Sequence, residues 1–303
     1  MSRSNRTLLI VVAVLALTAV GVFLLHWQTP RVELAPEALF HIGGFAVTNT
    51  ILTAYLTTAL LGLTFWLATR RLKVVPGRVQ AAAEMTVETF LGLCSNAAGE
   101  VNGRRFFTLI TTIFLFVLVA NWMGLLPGFG TIGIVRSEPA AQTAVVATST
   151  GQTAAASSGG TLVPIFRGAT ADLNTTLALA FIAFVSTEYY GIKSLGAGAY
   201  LGKFFNFRGG PMGAFVGLIE LISELSRIIS LSFRLFGNIF AGEVLLAVVA
   251  YLVPLVATLP FYGLELFVGF VQALIFSMLT LVFMTIATIG HSEHQEESAG
   301  HGR

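Results

Sequence analysis

Cysteine is almost absent from this 303-residue chain, which holds only Cys94. A single thiol excludes an intrachain disulfide and offers no metal cluster, so a small packing residue is the expected role. Charge is scarce as well: Asp, Glu, Lys and Arg make up 11% of the chain, against about 25% in soluble domains. The basic residues are dispersed between apolar runs and form no stripe, so the net charge of +2 gives no case for nucleic acid. No G-x-x-x-x-G-K-[ST] loop is present to cradle a nucleotide. No internal repeat is evident, which withholds support from an inverted-repeat transporter.

What the chain has in quantity is apolar sequence, 55% of it, with a mean hydropathy of +0.82. Six hydrophobic segments stand out: Leu8–Trp27, Val47–Ala68, Phe106–Leu126, Thr175–Ile192, Pro211–Ala250 and Phe261–Ile289. Each is about long enough to span a bilayer. The expected fold is an all-α polytopic membrane protein. Its membrane region covers 31–290, after an N-terminal anchor or signal peptide at 1–30 and before a polar tail at 291–303. Arg3 and Arg6 ahead of the first run resemble a signal peptide, but no A-x-A-like site follows. The tail's His291 and His294 suggest metal binding only weakly; a solvated tail is the expected reading, with no metal and no cofactor.

Lysine and arginine set the orientation. With the N-terminus in the cytoplasm, twelve fall inside and three, Arg31, Arg136 and Arg167, outside. The C-terminus is then cytoplasmic. The segment Pro76–Gly103 alternates Val79, Val87, Phe90 and Leu93 with Glu84, Glu88 and Glu100. It is amphipathic and too polar to span, and is expected along the cytoplasmic interface. The stretch 130–168, rich in Ala, Ser, Thr and Gly, cannot bury a core and is expected as a flexible external loop.

The last two segments hold the polar residues. A helix of 40 residues is about 60 Å long, against a hydrocarbon core of roughly 30 Å, so the fifth segment must tilt steeply. Within it lies Arg234, which cannot be deprotonated. An arginine at bilayer depth costs from roughly 3 to over 10 kcal/mol, so it needs a carboxylate or a watery cavity and points to ion handling. The bland alternative is an arginine paired within its own chain for packing. Glu220, Glu224, Arg227, Arg234 and Asn238 are spaced 4, 3, 7 and 4, which places them in one stripe, with Glu243 well off it. Glu224 and Arg227 are placed to pair at i, i+3. On the sixth segment Glu265 and Gln272 share a face. Ser223, Ser230 and Ser232 add hydroxyls. Glu220, Ser223 and Glu224 lie toward the cytoplasm; Asn238, Glu243 and Glu265 lie toward the outside. Two polar groups on opposite sides of one fixed charge resemble two half-channels separated by a barrier. The competing reading is a polar seam that zips helices together.

Arg234-Leu235-Phe236-Gly237-Asn238-Ile239-Phe240-Ala241-Gly242-Glu243 resembles the signature of subunit a of the F-type ATP synthase. Gln272-Ala273-Leu274-Ile275-Phe276, Val75-Pro76-Gly77-Arg78-Val79-Gln80 and Asp172-Leu173-Asn174-Thr175-Thr176 are also similar. The resemblance implies a stator subunit that forms two proton half-channels beside a rotating c-ring and is not an enzyme by itself. Arg234 would be the stator arginine facing the ring carboxylates. Glu243, Asn238 and Gln272 would lie near the external half-channel, and Glu220, Ser223 and Ser230 near the cytoplasmic one. Glu265 stands where some relatives have histidine and others glutamate. Partners would be the c-ring, the peripheral-stalk b subunits and the rest of the synthase, in a bacterial plasma (inner) membrane. The alternative is a stand-alone ion-coupled secondary transporter or channel. A purely structural scaffold would leave Arg234 unexplained.

Overall fold

The computed structural model describes residues 35–70, 72–130, 132–136, 161–204, 210–253 and 258–289, with positions 5 and 16 in isolation. The first hydrophobic segment and the histidine-containing tail lie outside the described residues, as does the middle of the 130–168 stretch.

The chain enters through a hairpin of β1 (Ala38–Ile42) and β2 (Phe45–Thr48), turned at Gly43-Gly44. Thr48 ends the strand and caps α1 (Asn49–Thr69), its hydroxyl accepting from the Ile51 amide. The next helix, α2, runs Arg78–Gly124 but is broken at Gly99, whose φ of 77° is open to glycine and strained for other residues. The break separates the amphipathic limb from the apolar limb that crosses. After β3 (Pro127–Gly130), strands β4 (Gly133–Arg136) and β5 (Thr161–Pro164) pair antiparallel. The stretch expected as one external loop therefore begins and ends in strands.

A single 3-10 turn, Ala169–Ala171, leads into α3 (Leu173–Leu195). Asp172 caps α3 by accepting from the Asn174 amide at 2.9 Å, and it also accepts from the Thr50 hydroxyl at 2.8 Å. One carboxylate thus starts a helix and ties it to α1. The short α4 (Ala197–Phe204) precedes the two long helices, α5 (Gly210–Leu252) and α6 (Thr258–Thr288).

Among the described residues five helices are long and apolar enough to cross a membrane: α1, α2, α3, α5 and α6. The core is built from both limbs of α2, with α3, α5 and α6 against them; Phe106, Ile110, Val117, Leu235, Phe276, Leu281 and Met284 are among its fully enclosed large side chains. Cys94 is buried within the same cluster, as its solitary occurrence suggests.

Burial follows membrane logic. On α1 the buried face is Asn49, Thr50, Thr53 and Thr57, while Leu56, Leu60, Leu63, Trp66 and Leu67 point outward. In lipid an outward leucine costs nothing, and small polar residues let helix backbones approach and bond one another. The Thr53 and Thr57 hydroxyls donate one turn back, to Asn49 and Thr53 carbonyls.

Candidate functional site

Helix α5 presents three polar surfaces, and its rotation decides which is which. Leu231, Leu235, Ile239 and Leu246 form the buried face, so residues about 100° away per step fall to its edges. Arg234 lies on one edge, exposed, in line with Ser230 and Ser223, which are exposed as well. Its recorded polar contact is a 3.3 Å bond from Nη2 to the Ser230 hydroxyl. Among the described residues it makes no ion pair. The described residues thus show no internal partner of the kind the packing alternative requires. Glu220, half-buried, sits at the start of the same edge.

The stripe read from spacing divides here. Glu224 turns into the bundle, 3% exposed, and accepts from Arg227 Nη1 at 2.7 Å. Arg227 in turn lies 4.1 Å over the Phe283 ring of α6. That pair is an internal contact, consistent with the i, i+3 spacing. Ser232 is also turned inward, bonded to Thr176 of α3 at 3.0 Å. Only Glu220, Ser223 and Ser230 remain on the accessible edge.

One turn beyond Arg234, Asn238 crosses to α6 and donates from Nδ2 to the side-chain Oε1 of Gln272 at 2.6 Å. Gln272 is buried, and two turns away on the same face of α6 is Glu265, also buried. Nine residues separate Arg234 from Glu243, so at about 100° per residue they stand on opposite sides of α5. Glu243 nevertheless meets Glu265 in one cavity, lined also by Asn121, Gly124, Leu125, Gly168 and Ile239.

Two close approaches make room for that cavity. At Gly242 a Cβ would overlap the Glu265 carboxyl, so only hydrogen lets this carboxyl lie against α5. At Gly168 a Cβ would come to 3.3 Å from Glu243 Oε1. Besides the two carboxyls the lining holds one polar side chain, Asn121, which accepts from Thr170 at 2.6 Å and donates to the Gly269 carbonyl at 3.0 Å.

Sequence reasoning missed the residue that closes this end. Arg167, just after β5, donates from Nε and Nη2 to Glu243 Oε2 at 3.4 and 3.3 Å. The order of polar groups is thus Arg167, Glu243, Glu265, Gln272, Asn238, Arg234, Ser230, Ser223 and Glu220, from one end of the helix pair to the other. Of the polar residues singled out on these helices, Glu224, Arg227 and Ser232 lie off this order, in inward contacts.

Comparison with known proteins gives the arrangement its family. The sequence pattern of the ATP synthase A chain matches residues 51–285. The chain belongs to the ATP synthase A chain family. Relatives named ATP synthase subunit a include that of Gloeobacter violaceus, 35% identical over 87% of this chain and 93% of the relative. That of Campylobacter jejuni subsp. doylei is 33% identical over 84% and 91%, and that of Desulforamulus reducens 31% over 85% and 86%. The A chain is a polytopic membrane subunit of the proton-translocating synthase. It supplies the stator side of the proton path and makes or breaks no bonds by itself.

Proposed function

We propose that Arg234 faces a carboxylate of a rotating c-ring and that the residues on either side of it are the two half-channels. The observation that carries this is the solitary exposure of Arg234 on a helix that spans. A permanent cation at bilayer depth requires a counter-charge or water. Within the described part of this chain no carboxylate pairs with it, so the counter-charge comes from a partner. The face it shares is apolar and exposed, including Val216, Ile219, Leu245 and Val248, a surface suited to the helices of a ring.

A proton enters from outside by way of Glu243 and Glu265, passes the Asn238–Gln272 contact and neutralises a ring carboxylate. A neutral carboxyl can turn into lipid, whereas a charged one cannot cheaply do so. After nearly a full turn the carboxyl reaches the edge formed by Ser230, Ser223 and Glu220, and its proton leaves toward the cytoplasm. Arg234 attracts the carboxylate that remains, and its fixed charge bars a proton from crossing directly. A potential of 100 mV supplies about 2.3 kcal/mol per charge moved. The peripheral-stalk b subunits hold the chain against the ring's torque. Residues 31–290 are the membrane domain, set in a bacterial plasma membrane with the C-terminus in the cytoplasm, the orientation favoured by the lysine and arginine distribution.

The test is Arg234→Ala in the assembled synthase in inverted membrane vesicles. ATP-driven acidification should be lost while ring and stalk subunits still co-purify. Acidification at the unsubstituted rate would overturn the assignment.

A further inference from the structure

We propose that Arg167 is a positioning residue of the external half-channel, clamping Glu243 by one carboxylate oxygen so that the other faces the cavity shared with Glu265. This rests on the external path proposed above. Arg167 does not sit loosely at the surface. Its side chain is 14% exposed, and the Glu243 side chain 32%. Nε and Nη2 both donate to Oε2, while Nη1 donates to the Ala35 carbonyl at 3.3 Å. The guanidinium is therefore tied to α5 on one side and to the chain entering the first hairpin on the other.

The backbone that presents it is equally fixed. Strand β5, paired with β4, leads in three residues before. Gly168 follows directly, packed close to Gly124 of α2, and then comes the buried turn Ala169–Ala171. A planar fork held in this way gives the carboxylate a set direction, as an ammonium would not.

The division between the two oxygens follows from the contacts. Oε2 accepts both arginine bonds. Oε1 lies against Gly168, which lines the cavity. A proton can thus reach Oε1 without either arginine bond breaking. Arg167 itself transfers no proton, since a guanidinium keeps its charge. Glu265 from α6 is the other charged group in this cavity; α2 contributes only the uncharged Asn121, Gly124 and Leu125. With Arg167 removed, Glu243 would be free to swing toward or away from Glu265, and the entry path would lose its alignment.

A purely structural ion pair would also join these residues, and a double-mutant cycle separates the two roles. Arg167→Gln, Glu243→Gln and the double variant are compared with the unsubstituted synthase for ATP-driven acidification per assembled complex. If Arg167 acts through Glu243, Arg167→Gln alone slows pumping about tenfold, and adds less than about twofold in the Glu243→Gln background. Arg167→Lys, which keeps the charge and loses the fork, should recover only part of the rate; it also serves where Arg167→Gln lowers assembly. Losses that multiply independently, or an Arg167→Gln enzyme that pumps normally while Glu243→Gln is impaired, overturn this inference and leave the external path standing. Normal pumping in Glu243→Gln would instead remove Glu243 from the path and this inference with it.

Discussion

Asn238 of α5 and Gln272 of α6 are joined by a 2.6 Å hydrogen bond that lies between the Glu243/Glu265 cavity and Arg234. It is the point at which the polar line passes from one helix to the other. Replacing either residue with leucine should slow ATP-driven pumping by about tenfold, while the double replacement should cost little more than one, because both remove the same contact. Rates of pumping in the three variants check this; unimpaired pumping in both single variants would place the path elsewhere.

The two arginines of α5 should fail differently. Arg227→Leu strips Glu224, 3% exposed, of its guanidinium, and breaking a buried pair costs about 3–5 kcal/mol. Less of the chain should then appear in the purified complex. Arg234→Lys should leave that amount unchanged and still pump poorly, because a flexible ammonium does not reproduce a guanidinium fork. Immunoblots of the complex set beside acidification rates give the comparison. Equal assembly defects in the two would count against the separation of an inward pair from an outward charge.

The outer carboxylates share a cavity, so they should act together. Glu243→Gln and Glu265→Gln should each slow pumping, and the double variant more than either. Gly242→Ala should mimic the loss of Glu265 by driving its carboxyl off α5, whereas Gly263→Ala, with open space beside it, should be silent. Pumping at the unsubstituted rate in the double variant would take both carboxyls out of the path.

Sidedness can be read with introduced cysteines. Ser223→Cys and Ser230→Cys should react with a membrane-impermeant thiol reagent from the cytoplasmic side, and Asn238→Cys and Gln272→Cys preferentially from the outside, since thiolates form where water reaches. The native background is quiet. Burial pushes the Cys94 thiol up to about 11, so it should label slowly while the chain is folded. Its labelling should rise on unfolding in detergent. Four positions reacting from one side only would describe a single vestibule.

The spans were legible because lipid demands long apolar runs, and Phe261–Ile289 differs by only a few residues from α6, Thr258–Thr288. Arg234 was legible for the opposite reason: charge inside such a run has no bland explanation that costs little. The division of the α5 stripe was not. Glu224 and Arg234 lie about 80° apart on the helix, close enough to look like one face until the position of α3 and α6 decides which is covered. The hairpin Ala38–Thr48 was overlooked although Ile42-Gly43-Gly44-Phe45 is a turn signal between apolar residues. Arg167 was hidden by its setting, at the end of a stretch whose composition suggests mobility, and its partner lies 76 residues away.

The unmatched charge of Arg234 bears on the subunit's fate before it joins anything. A copy inserted alone carries that guanidinium into lipid with no carboxylate among the described residues paired to it, at a cost of from roughly 3 to over 10 kcal/mol. On the function proposed above, a ring carboxylate would remove that cost. Lifetime in the bilayer is thereby tied to the partner's presence: an orphan should be the least settled form of the chain, and Arg234→Ala should let the orphan persist longer. A residue proposed to block a leak in the finished machine would also discourage the accumulation of unfinished parts.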